Sequence, residues 1–180
     1  MCIRDRSPVK APQKVLFTCS IRPVPEKRAE KTRYVLLEGV QDPGNLGTII
    51  RTANALNYGK VLLLPGCADR YNPKAIRATM GAVFRQCVEE TDYDAVSGLV
   101  ASGISLYGAA LREDSADIRD TEFDNFILAI GSEGKGLTEK LLNMCTGRVI
   151  IPMNPECESF NASLAAGIIM WEAVRKGGCL

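Results

Sequence analysis

Short apolar runs alternate with stretches of helical periodicity along most of the chain. RYVLLEG (33–39) is followed by NLGTIIRTANALNYG, where Leu46, Ile49, Ile50, Ala53 and Leu56 recur at spacings of three and four and share one face. This predicts a strand, a loop and a helix. KVLLL (60–64) reads as a second buried strand, and NPKAIRATMGAVF as one helix with Pro73 in its first turn. RQCVEE, ISLYGAAL, FILAIG and GRVIIP add strands, with DYDAVSGLVAS and GLTEKLLNMC as helices. A final long helix is predicted from about Ser159 to Arg175. About six strands separated by helices predict an α/β domain with a mostly parallel sheet. In such sheets ligands sit outside the carboxyl ends of the strands, here the loops after Leu37, Leu64, Leu106, Ile130 and Ile151.

At 180 residues and 46% hydrophobic composition, one substantial core is expected, not two. The seven cysteines form no C-x-x-C pair and are odd in number, which fits a reducing cytosol better than a disulfide framework or a zinc site. The longest apolar runs fall well short of a membrane span. A soluble cytoplasmic protein is expected. Histidine is absent, which removes the usual general base and every Ser-His or Cys-His nucleophile pair.

The net charge is only +1, but residues 1–33 hold nine basic against three acidic side chains, leaving the remainder at −5. Residues 1–32 therefore read as a basic, irregular tail suited to an anionic partner, and residues 33–180 as the folded domain. The opening MCIRDR is set aside from the fold reading.

Three of the strand-end loops carry unusual chemistry. In EGVQDPGNLGTIIRTANAL, Pro43 and Gly44 suggest a tight turn and Asn45 a helix cap, with Arg51 further along as a rigidly mounted fork for phosphate. LAIGSEGKGLTEKL is glycine-rich, yet its glycines at 131, 134 and 136 spell neither a P-loop nor a dinucleotide fingerprint. Glu133 would repel a triphosphate but suit a cation. In IPMNPECESFNASLAAG, Ser159 or Asn161 can cap the last helix, and one cap leaves the other polar residues over-supplied. That helix carries Leu164, Ile168, Trp171 and Val174 on one side and Ala165, Ile169 and Met170 on another, so it should be buried nearly all round, partly against a second subunit.

Together, LLEGVQDPGNLGTIIRTANALNYGKVLLL, LAIGSEGKGL and VIIPMNPECESFNASLAAGIIMWEA resemble in order and spacing the three motifs of the SpoU (TrmH-like) RNA ribose 2′-O-methyltransferases of the SPOUT superfamily. NPKAIRATMGAVFR lies between the first two. The resemblance runs from about Arg33 to Lys176. It implies a deep C-terminal trefoil knot, S-adenosylmethionine bound in that knot, and a homodimer. It also implies catalytic roles for Asn45, Arg51, Glu133, Ser159 and Asn161. Gly131, Gly136, Ile151, Met153 and Phe160 should line the cofactor, with Ala109, Ala110 and Leu111 of a YGAAL turn (Tyr107 to Leu111) closing over it. Phe160 stands where the family often has leucine. Many relatives carry a separate N-terminal RNA-binding domain, and the tail here is open to two readings: the remnant of such a domain in a fragment, or the RNA-binding arm of a minimal enzyme.

The implied reaction methylates a ribose hydroxyl, in ribosomal RNA by overall resemblance, with tRNA, a base nitrogen, or a catalytically idle RNA-binding dimer as competing readings. No metal is expected. Neutralising a guanidinium at pH 7 costs roughly 7 kcal/mol, so Arg51 is expected to grip the phosphate beside the target ribose. RNA contacts are expected from the tail and from Arg70, Lys74, Arg77 and Arg85.

Overall fold

The computed structural model describes residues 19–26, 31–154 and 156–177. Most of the expected basic tail lies outside the described residues. Within it, Glu26 accepts a hydrogen bond from the Tyr34 phenol at 2.5 Å and pairs with Lys60.

Seven strands build one parallel sheet: β1 (Arg33–Leu37), β2 (Lys60–Leu63), β3 (Cys87–Glu90), β4 (Ser105–Ala109), β5 (Ala116–Asp117), β6 (Phe126–Ile130) and β7 (Gly147–Ile150). Their order is β3-β2-β1-β6-β4-β7-β5, with every pairing parallel. The described helices are α1 (Pro43–Ala55), α2 (Pro73–Thr79), α3 (Tyr93–Ala101), α4 (Glu139–Met144) and α5 (Ala162–Gly177), with a 3₁₀ turn at Ala82–Phe84.

The two-residue period of a strand sorts the core into two layers. Val35, Leu37, Val61, Leu63, Leu128 and Ile130 face α1 and α5, where Ile49, Ile50, Ala166 and Met170 are buried. Tyr34, Leu36, Leu62, Ile127 and Ala129 face α3 and α4, against Val96, Leu141 and Leu142. Both faces of the sheet are covered, which is why the central strands are apolar without alternation. The predicted α1 face is buried in full: Leu46, Ile49, Ile50, Ala53 and Leu56.

Several boundaries differ from the sequence reading. Pro43 and Gly44 are the first turn of α1, not a separate turn, because proline at the first helical position costs no hydrogen bond. Asp42 is therefore the cap, accepting from the Asn45 amide at 2.9 Å, and the Asn45 side chain is left for other work. The helix predicted through Phe84 stops at Thr79, because Met80 (φ 47°) and Gly81 (φ 83°) both turn left-handed before the 3₁₀ turn. The last helix begins at Ala162, not Ser159, because Asn161 is its cap: its Oδ1 accepts from the amides of Ser163 (3.0 Å) and Leu164 (3.3 Å) and from the Ser163 hydroxyl (2.7 Å). The expected YGAAL turn is strand through Ala109, and only Ala110 and Leu111 lie beyond β4. Leu164 and Trp171 of α5 are half-exposed, whereas Val174 belongs to the buried face with Met170.

Candidate active site

The loops that leave β1, β6 and β7 converge at one end of the sheet. From β6 the chain folds back on itself, the amide of Gly136 donating to the carbonyl of Ser132 at 2.9 Å and that of Ser132 to Gly136 at 3.2 Å. A Cβ at Gly131 would lie 2.1 Å from the backbone carbon of Gly136, so only glycine permits this close return, and Gly136 itself sits at φ +65°. The turn lifts Glu133 outward towards α1.

There the three loops meet. Asn45 Nδ2 donates to Glu133 Oε1 at 2.5 Å, and Asn161 Nδ2 donates to Asn45 Oδ1 at 3.1 Å. Asn161 thus spends its oxygen on the α5 cap and its nitrogen on Asn45. One residue serves as cap and as junction.

A cleft of about 460 Å³ opens beside this junction, outside the carboxyl ends of β6, β4 and β7. All eight residues expected to line a cofactor do line it: Ala109, Ala110, Leu111, Gly131, Gly136, Ile151, Met153 and Phe160. Ile130, Val149 and Ile169 contribute to its apolar lining, and Glu133, Glu158 and Ser159 its polar wall. Glu158, Lys135 and Arg112 were not anticipated. Arg112, which pairs with Glu139, lies three residues past β4, where sequence spacing gave no signal.

Arg51 is exposed and finds no hydrogen bond or ion pair among the described residues. It lies one helical turn beyond Gly47, where α1 and α2 touch: a Cβ at Gly47 would fall 2.4 Å from the Ala75 carbonyl oxygen and 2.6 Å from the Ala78 Cβ. Of the other cations expected on RNA, Arg70 donates to the Val88 carbonyl and stacks over Tyr71 at 5.0 Å, and Lys74 pairs with Asp42 at 2.5 Å. That pairing holds the Asp42 carboxyl below the usual carboxylate range, with the hydrogen bond from the Asn45 amide adding to it. Arg77 and Arg85 are exposed.

Sequence reading also missed Glu38, which is only 5% exposed. Its carboxylate accepts from the Thr138 amide (2.7 Å), the Thr138 hydroxyl (2.7 Å) and the Tyr93 phenol (2.6 Å). The Tyr93 phenol is pushed up chiefly by that hydrogen bond. Thr138 also caps α4, so Glu38 ties the end of β1 to the far side of the Glu133 turn. Among the described residues there is no cluster of His, Cys, Asp and Glu that suits a metal ion, and no helix long and apolar enough to cross a membrane.

An all-parallel α/β sheet with a cleft outside its strand ends and a polar junction at the cleft's mouth is the arrangement in which α/β domains place their ligand sites. The chain belongs to the SpoU rRNA Methylase family, whose model matches residues 32–171. It is 35% identical over 164 residues to the 23S rRNA (guanosine(2553)-2′-O)-methyltransferase RlmP of Bacillus subtilis, a match covering 90% of this chain and 65% of that protein. The AdoMet-bound rRNA methyltransferase of Sinorhizobium meliloti has a similar structure, with a TM-score of 0.78 at 32% identity over 86% of this chain and 61% of that one. The SpoU methyltransferase AviRb of Streptomyces viridochromogenes, in complex with AdoMet, gives 0.76 at 33% identity over 84% and 60%. The chain spans under two thirds of the length of each of these relatives.

Proposed function

We propose that the chain transfers a methyl group from S-adenosylmethionine to a ribose 2′-hydroxyl of ribosomal RNA, acting as a homodimer in the reducing cytosol. The observation that carries this reading is the junction of Asn161, Asn45 and Glu133 at the mouth of the cleft, which joins loops from three distant parts of the sequence. Ribosomal RNA is preferred over tRNA because the 35% identical relative is named for a 23S rRNA activity.

The cleft fits the cofactor in volume and chemistry: apolar walls suit an adenine ring, and the carboxylates of Glu133 and Glu158 suit a cationic ligand. When bound, S-adenosylmethionine would supply a sulfonium methyl carbon open to in-line attack by the ribose oxygen, with the neutral thioether S-adenosylhomocysteine as the leaving group. Arg51, free of partners among the described residues, grips the phosphate beside the target ribose with a two-pronged guanidinium. A guanidinium keeps its own protons in a protein, so the hydroxyl proton leaves towards that phosphate or a group from the dimer neighbour as the C–O bond forms. Asn45 and Ser159 orient the ribose, Asn161 holds Asn45, and Glu133 fixes the Asn45 amide.

The dimer rests on α5. Leu164 and Trp171, seven residues and about two turns apart, form an exposed apolar stripe opposite the buried face of that helix, and a second copy would cover it. The knot belongs to the same reading: β7 lies between β4 and β5, and the chain then returns to set α5 against α1. The basic tail would add non-specific RNA affinity.

The test is incubation with S-adenosylmethionine carrying a labelled methyl group and either ribosomal RNA or tRNA, followed by digestion to nucleosides. Label in ribosomal RNA is expected. Label in tRNA alone moves the substrate class, and the absence of label with a folded dimer that binds no cofactor favours an idle RNA-binding protein.

A further inference from the structure

The segment from Arg70 to Gln86 carries four basic residues and no acid. Three large apolar side chains are exposed in it: Met80 is 70% exposed and Phe84 58%, with Ile76 beside them on α2. Exposed Met80 and Phe84 beside Arg77 and Arg85, unpaired among the described residues, need an account, because contact with water alone explains neither apolar side chain.

These side chains are mounted rigidly. Between them Thr79 and Ala82 are buried, the Phe84 amide donates to the Gly81 carbonyl at 3.2 Å, and those of Arg85 and Gln86 donate to Ala82 at 2.9 and 2.8 Å. Gln86, also buried, anchors the segment by donating its Nε2 to the carbonyls of Tyr58 (3.1 Å) and Gly59 (3.3 Å). Met80 holds a left-handed backbone, φ 47° and ψ 42°, which costs a non-glycine residue energy and turns its side chain out where nothing in the fold covers it. The Arg85 guanidinium lies over the same turn, 3.8 Å from where a Gly81 Cβ would stand. Arg77 precedes the turn, and neither arginine has a partner among the described residues.

The turn also packs on the helix that carries Arg51. The 3₁₀ turn and α2 both pack on α1, and Arg51 is one turn beyond the Gly47 contact with Ala75 and Ala78. A nucleotide flanking the one gripped by Arg51 would reach it.

We infer that the Met80–Phe84 turn is a stacking platform for an unpaired nucleobase of the RNA substrate, with Arg77 and Arg85 on the adjoining phosphates. The inference deepens the proposed function and rests on it. An aromatic face beside arginines suits a splayed base in single-stranded RNA and offers nothing to a base held inside a duplex. A second copy of the chain is the poorer occupant: a two-fold contact would set this basic patch against itself, with no acid in the segment to answer Arg77 and Arg85. The substrate is thereby an RNA loop or bulge.

The test uses the full chain, a hairpin RNA carrying 2-aminopurine in its loop, and the fully paired duplex of the same stem. Phe84→Ala should weaken hairpin binding roughly ten-fold or more, as loss of one base–aromatic stack predicts, and leave duplex binding unchanged. Phe84→Trp should restore it. Arg77→Ala with Arg85→Ala should weaken hairpin and duplex alike and flatten the salt dependence. Wild-type hairpin affinity in Phe84→Ala, or equal loss on duplex, would overturn the platform. So would a fall in solution mass, which would make the turn a contact between copies. If the wild-type chain binds neither RNA nor S-adenosylmethionine, the functional reading fails with it; a wild-type chain that methylates RNA beside an unaffected Phe84→Ala variant sinks the platform alone.

Discussion

The carboxamides of Asn161 and Asn45 meet at 3.1 Å across 116 positions of the chain. Each is already engaged: Asn161 caps α5 through its oxygen, and Asn45 donates its amide hydrogens to Glu133. The contact therefore fixes the start of the last helix to the first strand-end loop, and any movement of α5 is felt at the site.

Asn161→Ser separates the two duties of that residue. Serine caps a helix about as well as asparagine, but it lacks the second nitrogen arm that reaches Asn45. Thermal stability should stay near wild type while methyl transfer falls by about a hundred-fold, the scale of losing a site hydrogen bond. Asn161→Ala should lose both, with about 1 kcal/mol of stability gone with the cap. Thermal melts beside a labelled-methyl assay decide.

Arg51→Lys keeps the charge and discards the fork. Because the side chain is exposed and unpaired among the described residues, folding should be unaffected. If the guanidinium grips phosphate through two parallel hydrogen bonds, lysine should lose most of the activity. Near-wild-type turnover by the lysine variant would remove the bidentate clamp from the account.

Glu38 receives three donors and is almost wholly buried. In Glu38→Ala the Thr138 amide, the Thr138 hydroxyl and the Tyr93 phenol all lose their acceptor, and a group left unsatisfied costs about 1–3 kcal/mol. Tyr93→Phe removes one donor and leaves the carboxylate two, so it should cost only about 1 kcal/mol. Chemical denaturation of both variants tests the order; a milder loss in Glu38→Ala than in Tyr93→Phe would contradict it.

The cysteines supply a pH prediction. Burial pushes the thiols of Cys87 and Cys145 up to about 11, so at pH 8 both remain protonated, and the thiolate that reacts is scarce until the pH nears that value. Cys19 and Cys157, the latter in the loop before Ser159, are exposed. Alkylation at pH 8 followed by peptide mass mapping should find Cys19 and Cys157 modified before Cys87 and Cys145, which should react only on unfolding or near pH 11.

Much of this was legible in the sequence because it depends on local pattern. The α1 face was readable from its spacing, and the central strands from their apolar runs between turn residues. The eight residues set against a cofactor by motif order line one cleft. What was not legible depends on pairing at a distance. β5 is only Ala116–Asp117, too short for a periodic signal, and exists because it pairs with β7. The break at Met80 is a conformational choice that a methionine does not announce. Asp42 directly before Pro43 is a cap signature that outranks Asn45, and reading it would have freed Asn45 for the site from the start. The ion pair of Lys74 with Asp42 and the hydrogen bond from Arg70 to the Val88 carbonyl needed the fold, which is why the cations read as RNA contacts divide into two engaged in the fold and three free among the described residues.

The central claim is that the Asn161–Asn45–Glu133 junction serves methyl transfer to a ribose hydroxyl. It is tested most directly by nucleoside mass spectrometry of ribosomal RNA after incubation with this chain and S-adenosylmethionine. A 2′-O-methylnucleoside that appears with the wild-type chain and is lost with Asn45→Ala is the predicted result. A methyl group found on a base, or a 2′-O-methylnucleoside formed equally well by Asn45→Ala, would contradict it.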